Sequence, residues 1–158
     1  MIYLDNAATT FPKPKEVTDV FTQWGCEKPV NAGRGSYHLA AQAEQQIRET
    51  RRKMAQYVHA LSDEDVYFTA SATMAANVIL QGFPWEKGDI VFASPYEHNA
   101  VMRTLHAMEE QKGIQIKVLP VQSDGQMDLE KTGNQFMAES PRFVCVTQVS
   151  NVTGYLLP

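Results

Sequence analysis

The sequence has few cysteines and no long apolar run, and each scarcity excludes a class of protein. Cys26 and Cys145 are its two cysteines, and their wide separation argues against a disulfide framework and is typical of a reducing compartment. No apolar stretch approaches the length of a membrane span, and the first residues lack the basic start and apolar segment of a signal peptide. We therefore expect a soluble, cytoplasmic protein that has no membrane partner.

An excess of positive charge is also missing. Fourteen Lys and Arg residues stand against eighteen Asp and Glu residues, giving a formal net charge of −4. A general nucleic-acid binder needs a basic surface to neutralise phosphates, so this class is excluded. The 158 residues, of which 44% are hydrophobic, are enough for one globular domain with its own core.

Short apolar runs rich in β-branched and aromatic residues alternate with helical periodicity along the chain. This alternation is typical of βαβ units and predicts an α/β fold with a mostly parallel sheet. We divide the chain into an extended N-terminal arm, 1–12, and a larger domain, 13–158. The predicted elements of the larger domain are helices over 15–26, 37–60, 73–81, 98–111 and 128–137, and strands over 65–69, 89–93, 115–119 and 142–147.

The first candidate site is a run of small and hydroxyl residues where a predicted strand gives way to a helix. It contains Ser71, Ala72 and Thr73. The first turn of a helix offers unpaired backbone N–H groups and the positive end of the helix dipole, so this run could bind a phosphate. Simple N-capping by Ser71 is the alternative. The sequence has no nucleoside-triphosphate loop.

Two further candidates also follow predicted strands. His98 opens a helix and could stack on a ligand ring or act in acid–base chemistry, or it could merely cap the helix. Asn151 precedes a glycine and could bind a ligand oxygen, or it could simply form a turn. Because ligands bind at the carboxyl ends of parallel strands, the shared position of these candidates favours one site. Neither candidate lies in a metal-ligand pattern, so we expect no metal.

A loop ahead of the long second helix contains the fourth candidate, Arg34 and His38. Its two glycines do not follow a strand and lack the third glycine of a dinucleotide fingerprint, which excludes that type of site. Arg34 could hold a carboxylate in a bidentate pair, and His38 could face a substrate. A solvated loop is the alternative for both residues.

These motifs, in this order, resemble the N-terminal part of the cysteine desulfurases, including the branch that contains selenocysteine lyases. The family is that of the class V aminotransferases, which are pyridoxal-phosphate enzymes of fold type I. The resemblance rests on Tyr3–Thr10, Arg34–Ala40, Thr69–Thr73, Glu97–Ala100 and Ser150–Gly154. It covers the whole of this chain but only the first part of the family's length.

The resemblance implies an incomplete large domain, built as a three-layer sandwich, and a role for each candidate. Ser71, Ala72 and Thr73 would hold the phosphate of pyridoxal 5'-phosphate, His98 would lie against its ring, and Asn151 would sit near the ring oxygen and the substrate carboxylate. The residues implied to face the substrate are Ala7, Ala8, Arg34 and His38.

The implied reaction converts L-cysteine to L-alanine and leaves persulfide sulfur on the enzyme. The resemblance also implies that the enzyme is a homodimer and that it passes the sulfur to an acceptor protein. The sequence contains neither the family's Ser-x-His-Lys stretch nor its persulfide cysteine, so we expect no catalytic residue in this chain and no activity from it alone. A selenocysteine lyase or another class V enzyme is one alternative. A non-catalytic binding or interaction domain is the other.

Overall fold

The computed structural model describes residues 2–158 and has the α/β architecture that the sequence predicts. The chain divides into two compact units, Met1–Phe68 and Thr69–Pro158. Among the residues described, no helix combines the length and the apolar character needed to cross a bilayer. The assignment of 1–12 to an arm and of 13–158 to one larger domain stays a prediction.

The first unit is helical. Helix α1, Lys15–Thr22, continues into a π-helical turn over Gln23–Glu27. Helix α2, His38–Tyr57, buries Ala40, Ala43 and Ala55. It ends three residues before the predicted boundary at residue 60.

The N-terminal segment of this unit contains a turn over residues 6–8. The Ala8 N–H donates to the Asp5 carbonyl at 3.1 Å, and the Phe11 N–H donates to Asn6 Oδ1 at 3.2 Å. The Tyr3 and Phe11 rings meet edge to face, with 5.3 Å between their centroids. A short polar side chain such as Asn6 can bond nearby backbone in this way, and the segment therefore folds back on itself.

The second unit is built on a three-stranded parallel sheet of order β2-β1-β3. Its strands are β1, Ile90–Ala93, β2, Gln115–Val118, and β3, Phe143–Cys145. Its helices are α3, Ala72–Gly82, α4, Asn99–Lys112, and α5, Leu129–Ala138. Each of these six elements coincides with a predicted one to within two residues at either end.

Strand β1 lies at the centre of the sheet and is buried on both faces. Val91 and Ala93 pack with Leu80 of α3 and Leu105 of α4. On the opposite face, the Phe92 ring meets the Phe136 ring of α5, with 5.0 Å between the centroids. Because neighbouring strand residues point to opposite faces, one strand supports two helical layers, and this unit has three layers.

The strand predicted over 65–69 is not formed. A short 3₁₀ turn occupies Asp63–Asp65, and the Val66 N–H donates back to the Asp63 carbonyl at 3.3 Å. The apolar run has the composition of a strand, but it has no partner strand among residues 2–158. A strand needs a neighbour to receive its backbone hydrogen bonds, so the prediction was wrong here.

Candidate functional site

Helix α3 begins at the predicted phosphate-binding run. Ser71 is its N-cap, and the Ser71 hydroxyl accepts a hydrogen bond from the Met74 N–H at 3.1 Å. The Ser71 carbonyl accepts from the Ala75 N–H at 3.0 Å. The N–H groups of Ala72 and Thr73 have no acceptor within residues 2–158. The helix therefore presents two unpaired donors and its positive dipole end to an anion.

His98 caps helix α4 with its ring. The Nδ1 atom accepts a hydrogen bond from the Ala100 N–H at 3.1 Å. An accepting Nδ1 carries no proton, so in the neutral ring the proton is on Nε2. The capping bond holds the ring at the helix start, and the side chain is exposed. His98 can thus cap the helix and still present its ring to a ligand.

A cavity of about 370 Å³ lies between α3 and α4. Thr73 and His98 both line it, so the structure brings together two of the residues that the sequence singled out. Arg103 of α4 adds a guanidinium to the lining. The cavity contains no lysine among its lining residues. Its volume is in the range typical of small-molecule sites.

Asn77 and Thr104 also line the cavity, and neither of them was assigned a role from the sequence. The Thr104 hydroxyl, which is 6% exposed, lies 3.1 Å from Asn77 Oδ1 and 2.8 Å from the Ala100 carbonyl. The Asn77 amide donates to the Thr73 carbonyl at 2.9 Å. This network joins α3 to α4 beside the cavity. The four-residue spacing from Thr73 to Asn77 places both residues on one face of the helix, and this spacing could have identified Asn77 from the sequence.

The donor set fits the phosphate of pyridoxal phosphate. Two unpaired backbone N–H groups lie at the start of α3, and Thr73 and Arg103 line the adjacent cavity. A phosphate accepts hydrogen bonds from such donors, and the helix dipole adds to the attraction. The exposed His98 ring is a flat surface that an aromatic ligand can stack on.

Asn151 lies in a tight turn after β3 and does not line this cavity. Ser150, which is 3% exposed, organises the turn. Its N–H donates to the Tyr155 carbonyl at 2.9 Å, and its carbonyl accepts from the Gly154 N–H at 2.9 Å. Its hydroxyl accepts from the N–H groups of Val152 and Thr153, each at 3.3 Å. The exposed Asn151 side chain is thereby held on an ordered turn.

The predicted substrate-facing residues all lie in the first unit and are exposed. Ala7 and Ala8 belong to the N-terminal turn, Arg34 is in the loop before α2, and His38 is the first residue of α2. Arg34 makes no ion pair with any other residue in 2–158. Its guanidinium is therefore available to an anionic group.

The two cysteines differ in environment. Cys26 is exposed, whereas Cys145 is partly buried in β3. Burial, with a smaller contribution from the Glu97 carboxylate, raises the pKa of the Cys145 thiol to about 11. Such a thiol is protonated at neutral pH and is a poor nucleophile. Residues 2–158 contain no cluster of three or more His, Cys, Asp or Glu side chains that could hold a metal ion.

The chain is similar to known cysteine desulfurases. The cysteine desulfurase of Dickeya dadantii (strain 3937) is 32% identical over 161 residues, which cover 100% of this chain and 39% of that protein. The probable cysteine desulfurase of Methanothermobacter thermautotrophicus is 33% identical over 153 residues, which cover 97% of this chain and 37% of that protein. The chain thus spans about two-fifths of the length of the curated relatives that it matches.

A solved structure supports the same relationship. The apo cysteine desulfurase from Thermococcus onnurineus NA1 superposes with a TM-score of 0.84 at 25% identity, covering 95% of this chain and 37% of that one. A structure of C-DES with glycine covalently linked to its pyridoxal phosphate cofactor shares the fold, with a TM-score of 0.71 at 20% identity. The latter covers 92% of this chain and 37% of C-DES.

The family resemblance stated from the motifs is confirmed over nearly the whole sequence. The family described as Aminotransferase class-V matches residues 2–158. The α/β unit agrees with the fold of the cysteine desulfurase from Thermococcus onnurineus NA1. The chain therefore belongs to the class V aminotransferase family.

Proposed function

We propose that this chain is the portion of a cysteine desulfurase that binds the phosphate and the ring of pyridoxal phosphate. The observation that carries the proposal is the cavity between α3 and α4, because Thr73 and His98 line it together. These residues are 25 positions apart and come from the starts of different helices. The similarity to cysteine desulfurases supports L-cysteine as the substrate of the whole protein.

Each residue of the proposed site has a binding role that follows from its chemistry. The backbone N–H groups of Ala72 and Thr73, with the Thr73 hydroxyl, donate to phosphate oxygens. The His98 ring packs against the pyridine ring, and the Asn151 amide donates to a ligand oxygen. When bound, the cofactor supplies the electron withdrawal that labilises bonds of the amino acid.

The remaining parts of the proposal concern the whole protein. Arg34 receives the carboxylate of the amino acid in a bidentate pair, with His38, Ala7 and Ala8 facing the substrate. The enzyme works as a homodimer in the cytoplasm and delivers sulfur to an acceptor protein. No lysine lines the cavity, so the 158-residue chain by itself turns over no cysteine.

A titration with pyridoxal phosphate tests the proposal. Visible absorbance measures cofactor binding by the wild-type chain and by the variants His98→Ala and His106→Ala. His106 is the control, because it is another exposed histidine, lies within α4 and does not line the cavity. We expect saturable binding by the wild-type chain. Loss of ring stacking in His98→Ala should weaken affinity about three- to tenfold, and His106→Ala should leave affinity unchanged.

Two further measurements complete the test. Borohydride reduction followed by peptide mass analysis locates any lysine that reacts with the cofactor, and an assay with L-cysteine measures alanine formation. We expect no single lysine to be modified selectively and no alanine to form. Absence of saturable binding, or equal behaviour of the two histidine variants, contradicts the proposed site. One selectively reduced lysine together with turnover contradicts the proposed inactivity of the chain alone.

A further inference from the structure

The Glu97 carboxylate joins the carboxyl ends of two neighbouring strands. Ser94 directly follows β1, and its hydroxyl donates to Glu97 Oε1 at 2.6 Å. The Thr147 N–H, just beyond β3, donates to the same oxygen at 2.5 Å. The Ser94 N–H also donates to the Cys145 carbonyl at 3.0 Å. One carboxylate oxygen thus extends the pairing of β1 and β3 beyond the end of their ladder.

The bonds to Glu97 are of a strong kind. Glu97 is partly buried and Ser94 is 2% exposed, so water competes weakly for them. A hydrogen bond to a charged acceptor is about twice as strong as one between neutral groups. Glu97 forms no ion pair with another residue in 2–158. The Ser94 hydroxyl and the Thr147 N–H are therefore the groups that stabilise the Glu97 carboxylate.

Both proposed ligand-binding segments leave the sheet at this junction. His98 is the next residue after Glu97, and its ring is fixed by its own cap at the start of α4. Asn151 is four residues after Thr147, on the turn that Ser150 holds together. Because both segments are internally ordered, the separation between His98 and Asn151 depends on how the strand ends are joined.

We propose that Glu97 is a positioning residue that sets the placement of His98 relative to Asn151. The inference rests on the proposed function, since that function assigns both residues to the cofactor. Glu97 acts only through Ser94 and Thr147. Removing its oxygen should let the turn after β3 shift away from the start of α4, while the sheet itself persists.

The variants Glu97→Ala and Glu97→Gln separate this role from simple loss of charge. Glutamine keeps an oxygen that can accept from both donors, whereas alanine keeps none. Glu130→Ala, which removes an exposed carboxylate on α5, is the control. The first readout is amide hydrogen exchange at Thr147, with Phe92 in β1 as the internal reference. The second readout is pyridoxal phosphate affinity, with the visible circular dichroism of the bound cofactor.

In Glu97→Ala we expect exchange at Thr147 to accelerate at least about tenfold while Phe92 stays protected. We also expect affinity to fall at least about tenfold and the dichroism of the bound cofactor to change. Glu97→Gln should stay within about threefold of the wild-type chain in both readouts. Glu130→Ala should match the wild-type chain.

Unchanged Thr147 exchange in Glu97→Ala overturns the inference, as does equal impairment of the alanine and glutamine variants. Faster exchange at Thr147 with unaltered affinity and dichroism also overturns it, because the junction would then be structural only. Failure of the wild-type chain to bind pyridoxal phosphate contradicts the proposed function instead. In that case Thr147 exchange still decides whether Glu97 joins the two strand ends.

Discussion

Cys145 illustrates how one side chain takes its chemistry from its position. It lies in the edge strand β3, and burial is the main cause that raises the pKa of its thiol to about 11. The nearby Glu97 carboxylate adds to the shift, because a second negative charge disfavours the thiolate. A cysteine that stores sulfur must be an accessible nucleophile. We therefore predict that Cys145 does not serve as a persulfide cysteine.

Alkylation by iodoacetamide tests this assignment. At pH 8 a thiol with a pKa of about 11 is roughly one-thousandth ionised, against roughly one-tenth for a thiol at the ordinary value of 9.0. We expect Cys26 to be modified and Cys145 to react at least about a hundredfold more slowly than in the denatured chain. Its rate should rise as pH is raised toward about 11. Peptide mass analysis over time measures both rates.

Denatured protein provides the control, since both thiols should then react at similar rates. Rapid modification of Cys145 in the folded chain at pH 8 would contradict the assignment. The variant Glu97→Gln gives an additional comparison. Because burial is the larger cause of the shift, we expect this variant to accelerate Cys145 alkylation only modestly.

Ser71 and His98 show why capping and ligand binding are not exclusive. From the sequence they were alternatives for each residue, and the structure shows both side chains as helix caps. Capping uses an acceptor of each side chain, namely the Ser71 oxygen and His98 Nδ1. It leaves the Ser71 proton, the His98 ring face and the backbone donors of Ala72 and Thr73 for a ligand. The capping bonds support the proposed site because they hold these groups in place.

The ends of α2 and α4 depend on residues with a positive φ, and the sequence marks only some of these residues with a glycine. Helix α4 ends at Gly113, which has a φ of +71°, and the Gly113 N–H donates to the Glu109 carbonyl at 3.0 Å. Helix α2 ends in a similar way, but at His59, with a φ of +55°. The Ala60 N–H donates to the Ala55 carbonyl at 2.9 Å, which completes a Schellman motif. No glycine marks that end, so the predicted boundary was too late.

A pair of glycine substitutions tests the role of the α4 end. Gly113→Ala places a Cβ atom in the left-handed region and only 3.2 Å from Lys87 Cγ. We expect it to lower the free energy of unfolding by about 1–2 kcal/mol. Gly133→Ala is the matched control, because Gly133 lies within α5 and an added Cβ there would meet nothing within 4 Å. It should raise the free energy of unfolding by about 0.5–1 kcal/mol.

Urea-induced unfolding followed by circular dichroism measures both changes. Equal effects of the two substitutions would contradict the proposed conformational cause. Gly113→Asn provides a further check, since asparagine tolerates the left-handed region better than alanine does. We expect its loss of stability to be smaller than that of Gly113→Ala.

The βαβ order of the second unit was predictable, but the contacts across its sheet were not. Local patterns such as the apolar run 89–93 are enough to predict a strand, and the rule that ligand sites follow strand ends singled out His98, which comes after β1. The same rule singled out Thr73, but from a strand that is not formed. The role of Glu97 depends on the β1–β3 register, and that of Asn77 on the packing of α3 against α4. Such pairings join residues distant in sequence. The strand predicted over 65–69 failed for the same reason, because pairing requires a partner.

At the scale of the whole molecule, the sheet exposes an apolar edge. Strand β3 is an edge strand of the order β2-β1-β3, and Val144 and Val146 at this edge are 40% and 49% exposed. Ile79 of α3 lines a shallow groove with them and is 58% exposed. An edge strand carries unpaired backbone groups, and apolar side chains beside it favour association with another chain. The 158-residue chain should therefore self-associate through this edge.

Sedimentation velocity over a range of protein concentrations tests this prediction. We expect the wild-type sedimentation coefficient to rise with concentration. Val146→Lys should reduce the rise, because a lysine at a sheet edge opposes pairing with a second chain. Met137→Lys is the control: Met137 is 88% exposed, but it lies near the end of α5 and not on the sheet. A monomeric wild-type chain at every concentration, or equal effects of the two lysines, would show that the β3 edge does not drive association.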